Sequence, residues 1–362
     1  MKAMTSDKKI SSSLELLNPQ MLTLAREYAG FTQTELAKEL SVSQGTVSKL
    51  EEGLNLGDQA LLEKLSSIFN RPEDFFTQRP SVSMTLEGHF RKKSTLTKKL
   101  LRATDARMNI ERFQINKLLD SCDLELPGPP SCNPDEYPHG AKEIAQLIRQ
   151  YLKLPSGPVE NVVEAVEKAG CFVRFIDFGT LLVDGFAVLS EANVPIIFVN
   201  KAYPADRRRL TLAHEFGHVI MHRGQVRPNI EDEAFEFAGE FLMPEREIKT
   251  SLYPLNLQKL ARQKLKWKVS MAAILQHAKK IGAVNDRYFR YMRSELSKNG
   301  YTKQEPHEAA VALERPVALT RVFRHFKSDL EYDINDMCRL LSATTEEVQS
   351  LNRPNHERFH LV

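Results

Sequence analysis

His214, Glu215 and His218 form the pattern H-E-x-x-H, two imidazoles four residues apart with a carboxylate after the first. In a helix the two rings lie one turn above each other, and their nitrogens converge on one metal ion. Glu215 then points about 100° round the helix, too far to join the clamp, and is placed to take a proton from a water activated by that ion. The chemistry is metal-assisted hydrolysis, the mechanical content of a zinc-peptidase motif. The flanking residues read as helix. Pro204 suits a first turn, and Leu210, Ala213, Phe216, Gly217 and Ile220 recur at helical spacing as a buried stripe. His222 continues the row, but it falls roughly 12 Å from His214 along the axis, so the three rings cannot share one ion. It reads as a helix-end residue serving the last carbonyls.

A tetrahedral catalytic ion needs a third protein donor and leaves one position for water. The next helical stretch, residues 230–243, offers Glu231, Asp232, Glu233, Glu236 and Glu240. Glu233, Glu236 and Glu240 share one face, while Phe235, Ala238 and Leu242 mark another for packing. Geometry alone does not choose among the acids.

The strings T-L-A-H-E-F-G-H-V-I-M-H and D-E-A-F-E-F-A-G-E-F-L-M-P resemble the ImmA/IrrE family of metallo-endopeptidases. The resemblance extends upstream through Asp184, Gly185, Phe186 and Phe198 to Asn200, and downstream through Trp267 to Met271, covering roughly the second half of the chain. It implies one Zn²⁺ per chain held by His214, His218 and Glu233, with Glu215 as the catalytic base. Mn²⁺ or Fe²⁺ fits the same donor set. The chain departs from the family at Phe235, where Asn is common. Asp184 and Glu240 are the expected hydrogen-bond partners of the imidazole N–H groups. No oxyanion donor is evident; Tyr203 is one candidate.

These residues need elements to hold them. Residues 171–176, 182–189 and 194–199 read as strands, preceded by helices over 141–152 and 158–169. Helices, a small sheet and then the metal helix make an α+β pattern. The strand over 194–200 is a candidate edge for pairing with a substrate peptide, which Pro195 near its start suits, or equally a fully buried core strand. Beyond 255 the chain reads helical; the stretch around Trp267 to Ser270 resembles a second helix-turn-helix and is expected to serve packing.

The first part of the chain has a different pattern, five short helices over 17–77. Thr32 followed by Glu35 is a capping box, and the turn Ser41-Val42-Ser43 joins two short helices into a helix-turn-helix. F-T-Q-T-E-L-A-K-E-L-S-V-S-Q-G-T-V-S-K-L-E-E-G resembles XRE-type (Cro/repressor-like) DNA-binding domains. The resemblance implies that the second helix enters the major groove, with Gln44, Thr46, Ser48 and Lys49 facing bases or phosphates and Gln33 contacting the backbone. Acidic residues outnumber basic ones in this segment, which suits a helical dimerisation module as well. Just beyond it, Arg91, Lys92, Lys93, Lys98, Lys99 and Arg102 form a run free of acids that could hold phosphates.

A net charge of +3 with 42% apolar and 27% charged residues is that of an ordinary globular protein, and demands neither a membrane nor a nucleic acid by bulk electrostatics. The 4 cysteines show no C-x-x-C spacing. No apolar run approaches membrane-spanning length, so the expected compartment is the cytoplasm. A helix over 94–122 and a proline-crowded stretch over 127–138 separate the halves.

The expected fold is an all-α helix-turn-helix domain joined to an α+β zincin-like domain with a helical extension. The expected divisions are 1–78 for the DNA reader, 79–138 for a helical spacer and linker, 139–300 for the peptidase and 301–362 for a helical tail. The expected function is a transcriptional regulator with a zinc-dependent endopeptidase that cleaves a repressor-type protein, itself or a paralogue. It would bind an operator, its own promoter first, as a homodimer. The alternative is a non-hydrolytic DNA-binding repressor, or the antitoxin of a toxin–antitoxin pair, whose peptidase-like half binds a partner such as the toxin, or a signal.

Overall fold

The computed structural model describes residues 17–79, 97–122, 127–223 and 228–352; Arg91, Lys92, Lys93 and the expected helix start at 94–96 lie outside the described residues. The first helices are α1 Pro19–Tyr28, α2 Gln33–Leu40, α3 Gln44–Glu51 and α4 Gln59–Phe69, followed by a 3-10 turn at Glu73–Thr77. Each start is chemically specified: the side chains of Asn18, Thr32, Ser43 and Asp58 accept from backbone N–H groups that the helices leave unpaired. Thr32 and Glu35 form the reciprocal capping box, and Ser41 ends α2 in the left-handed region. Leu22, Leu36, Val47, Leu50 and Phe75 are sealed in a small core. The buried Arg26 ties α1 to α3 through Glu51, Nη2 to Oε2 at 3.1 Å.

Helix α5, Lys98–Asp120, does not stand free as a spacer. Its Ala106, Ile110 and Phe113 complete the core of the first four helices, while Met108, Ile115 and Leu118 enter a second core under the sheet. After α6 Gly140–Tyr151 and α7 Val162–Lys168 come the strands β1 Phe172–Ile176, β2 Gly185–Leu189 and β3 Pro195–Asn200, in the spatial order β1-β3-β2. β3 pairs parallel with β1 and antiparallel with β2. The expectation of an edge at 194–200 is therefore corrected: β3 is the central strand, buried at every position, and β2 is the edge nearer the histidines. The unbroken apolar run Ile196 to Val199 suits a strand covered on both faces.

The period of two along the strands separates two cores. Val173, Phe175, Ile197 and Val199 face α8 Ala205–Met221 and α9 Ile230–Leu242. Phe172, Ile176, Phe186, Val188, Ile196 and Phe198 face the other way, onto α5 and the C-terminal helices α14 Ala318–Ser328, α15 Ile334–Leu341 and α16 Thr345–Asn352. The segment read as a tail is thus the second cover of the sheet. Arg174 on that face reaches Glu111 of α5 at 2.8 Å and the Leu351 carbonyl at 3.2 Å.

Between these lie α10 Glu245–Ile248, α11 Leu257–Trp267, α12 Met271–Lys280 and α13 Asp286–Lys298. Trp267, Val269 and Met271 are fully buried, so the helix pair resembling a second helix-turn-helix is committed to packing. Lys264 of α11 is sealed from solvent and holds two carboxylates, Asp206 of α8 at 2.6 Å and Glu305 at 2.9 Å. Burial alone would lower the Lys264 ammonium, but the two hydrogen bonds hold it above its ordinary range. Two acids cap across the chain: Glu314 accepts from the N–H groups of Val162 and Val163, and Glu167 from those of Val317 and Ala318. Gly217 lets α8 and α9 close; a Cβ there would lie 3.0 Å from the Phe237 ring.

Candidate metal centre and nucleic-acid face

Helix α8 sets His214 and His218 one turn apart with their Nε2 atoms 3.1 Å from each other. A carboxylate completes a triangle: Glu231 Oε2 is 3.3 Å from His214 Nε2, and Oε1 is 3.9 Å from His218 Nε2. A tetrahedral ion held at roughly 2.0–2.2 Å by nitrogen and oxygen spaces its donors roughly 3.3–3.6 Å apart, so the residues present fit such an ion. Among the described residues the buried Nδ1 of His214 has no hydrogen-bond partner, and this ring makes its polar contacts through Nε2. His214, His218 and Glu231 are also the group of His, Cys, Asp or Glu side chains whose donor atoms all fall within 4.8 Å among the described residues.

Glu233, the acid that the family resemblance assigns to the metal, points elsewhere. Its Oε2 is 2.9 Å from His222 Nε2, and His222 Nδ1 is in turn 2.9 Å from His218 Nδ1. Both acids reach the histidine row of α8, Glu231 at His214 and His218 and Glu233 one turn further along at His222. The structure brings Glu231 to the pair in place of Glu233. His222, read as serving the last carbonyls, is buried and hydrogen-bonded on both ring nitrogens. Its place in the histidine row was visible in the sequence. Its partner was not, because that depends on how α9 lies along α8.

Glu215 lines a cleft of about 580 Å³ with Gly185, Phe186, Leu210, Phe235 and the metal-site residues. Gly185 is there for close approach: a Cβ would lie 2.6 Å from Thr211 Cγ2 and 3.2 Å from Glu215 Cγ. Its absence lets the β2 edge lie against the catalytic face of α8. Phe235 sets its ring 4.2 Å from that of His214, so the departure from the family pattern becomes an apolar wall. Asp184 is held by Arg207 at 2.9 Å, and the buried Glu240 accepts from Gln146 Nε2 at 2.7 Å and Glu245 N at 3.0 Å. The Tyr203 hydroxyl donates to the Leu181 carbonyl, and burial together with the neighbouring Asp184 pushes its phenol up.

On the helix-turn-helix, Gln44 and Lys49 of α3 are exposed, with Thr46 and Ser48 half-buried between them. Gln44 Nε2 donates to Gln33 Oε1 at 2.8 Å, and Gln33 Nε2 to Glu51 Oε2 at 2.8 Å, so α2 and α3 present their amides as one unit. The Thr46 hydroxyl meets Ser43 at 2.9 Å, and Ser48 donates to Glu52 at 2.7 Å. Lys99 and Arg102 from the first turns of α5 stand beside Gln33, Thr34 and Gln44 around a shallow cleft.

Comparison with known families gives two matches. Residues 22–76 match the helix-turn-helix family model, and residues 166–279 match the model of the M78 peptidases, described as the IrrE N-terminal-like domain. The first spans α1 to α4 and points to a DNA-binding domain, and the second is a metallopeptidase-like domain that contains the His and Glu cluster. Their order agrees with the fusion read from the sequence. No curated protein and no solved structure gives a match. Among the described residues no helix is long and apolar enough to cross a membrane.

Proposed function

From a chain that joins a helix-turn-helix domain to a metallopeptidase-like domain, we propose a DNA-binding transcriptional regulator with a zinc-dependent endopeptidase that cuts a repressor-type protein, a paralogue or a sister copy. The observation that carries the reading is the triangle of His214, His218 and Glu231 beside Glu215, in a cleft bounded by a sheet edge. Those three side chains hold the ion in this reading, with Glu231 taking the part first given to Glu233. A divalent ion, once bound, supplies the positive charge that makes water acidic and a carbonyl electrophilic near neutral pH. The Glu215 carboxylate takes the proton of the attacking water and returns it to the departing amine nitrogen. An extended peptide pairs along β2, and Leu210 and Phe235 favour an apolar side chain beside the cut.

In the DNA half, Gln44, Thr46, Ser48 and Lys49 read the groove and Gln33 contacts the backbone, in a homodimer on two half-sites within the protein's own promoter. The reading is tested by metal analysis of the purified chain and by cleavage of XRE-type repressors and of the protein itself, comparing wild type with Glu215→Gln. The expected result is about one bound Zn²⁺ per chain and a cleavage rate reduced by about 10²–10⁴ in the variant. A metal-loaded wild type that cuts none of these proteins refutes the hydrolytic half and leaves a DNA-binding repressor or antitoxin.

A further inference from the structure

The contacts His218 Nδ1 to His222 Nδ1 and His222 Nε2 to Glu233 Oε2, each 2.9 Å, run from the metal-site helix into α9. Their direction follows from which groups donate. A carboxylate oxygen accepts, so His222 Nε2 carries the hydrogen of that bond. With His222 as the neutral imidazole, a hydrogen on Nε2 leaves Nδ1 bare, and His222 accepts there from His218. His218 therefore carries its hydrogen on Nδ1 and leaves Nε2 bare, and that Nε2 is the atom 3.1 Å from His214 Nε2 and 3.9 Å from Glu231. The outermost acid thus decides, through two rings, which nitrogen of His218 is free.

We infer that His222 and Glu233 are positioning residues that lock His218 in the tautomer and orientation required to bind a metal through Nε2. The two bonds also fix the ring plane, because His222 is 2% exposed and has no room to turn. Groups of this kind around metal-ligating histidines typically contribute about 10–100-fold in metal affinity. Among the described residues the Nδ1 of His214 has no such support, so His218 is the ring set in advance. The inference rests on the metal reading of the His214 and His218 pair. It gives Glu233 a part distinct from the one the family resemblance gives it.

The test uses the full chain, with Co²⁺ affinity measured by chelator competition, the visible spectrum of the loaded protein and the thermal midpoint of the metal-free protein. Glu233→Leu and His222→Leu are expected to weaken Co²⁺ binding about 10–100-fold with the wild-type spectrum retained. Glu233→Gln keeps an acceptor for His222, so its affinity is expected to return to within about threefold of wild type. The double variant His222→Leu/Glu233→Leu is expected to be no weaker than either single one, because both break one chain of bonds. Glu231→Gln, which alters a donor, is expected to change the spectrum. Should a Leu variant unfold without metal, the Gln variant and its spectrum carry the comparison.

Three outcomes overturn the inference. One is a Glu233→Gln spectrum that differs from wild type, which makes Glu233 a donor. Another is unchanged affinity in Glu233→Leu, and the third is a wild type that takes up no Co²⁺. A wild type that binds Co²⁺ with the expected order of variants yet cuts no protein refutes the hydrolytic reading and leaves this one standing.

Discussion

Replacing Lys264 by Met keeps the apolar stem of the side chain and removes its ammonium. In the folded protein that leaves two carboxylates facing a space with no cation, since the Asp206 and Glu305 side chains are 5% and 10% exposed. Removing one partner of a buried ion pair costs about 3–5 kcal/mol, against about 0–1 kcal/mol at the surface. Here both acids keep other donors: Glu305 accepts from Met271 N at 2.7 Å and Ala272 N at 3.1 Å, and Asp206 from Arg207 N at 2.8 Å. The lower end, about 3 kcal/mol, is therefore expected. The assay is urea unfolding at pH 7.5, followed through the fluorescence of Trp267, the chain's 1 tryptophan, buried three residues beyond Lys264. A loss under about 1 kcal/mol refutes the reasoning.

Two further perturbations follow from other sites. His277 donates from Nε2 to the Met243 carbonyl at 2.8 Å, and burial lowers its imidazole below the ordinary 6.5. The unfolded chain binds that proton more readily, so the contribution of His277 is whole above about pH 6.5 and is lost as pH falls, by up to about 1.4 kcal/mol per pH unit. Unfolding midpoints of wild type and His277→Gln between pH 7.5 and 5.5 should diverge less in acid; parallel profiles refute this. On DNA, Lys49→Ala is expected to weaken binding uniformly and reduce the salt slope by about 1, while Gln44→Ala costs about 1–3 kcal/mol on the preferred sequence only. Anisotropy titrations of promoter and scrambled duplexes across salt concentrations measure both, and loss in neither variant removes these residues from the interface.

What the sequence made legible is what short-range chemistry determines. The capping box of Thr32 and Glu35, the turn at Ser41-Val42-Ser43 and the one-turn spacing of His214 and His218 are set within four residues, and each is found as expected. The less legible features lie where register between distant segments decides. Choosing Glu231 or Glu233 requires knowing how α9 is rotated against α8, which Gly217 and Phe237 fix by contact. The central place of β3 arises because β1 pairs with it in parallel across an intervening strand, a topology that a run of apolar residues does not encode. The terminal helices gave no sign of a role, because the apolar stripe Leu319, Val322, Phe323 and Phe326 fits any flat partner; here it lies on the far face of the sheet.

Helix α5 is 23 residues, about 34 Å of rod, and both halves of the molecule are cast onto it. Arg71 reaching Glu347 at 2.6 Å and Ser342 reaching Asp74 at 2.8 Å brace the same junction from the other side. Among the described residues these contacts hold the helix-turn-helix unit against the helices that cover the sheet. On the proposed reading a cut in α2 or α3 would come from a neighbouring molecule, and such inactivation would accelerate with the square of protein concentration, whereas a cut within one chain would be indifferent to dilution.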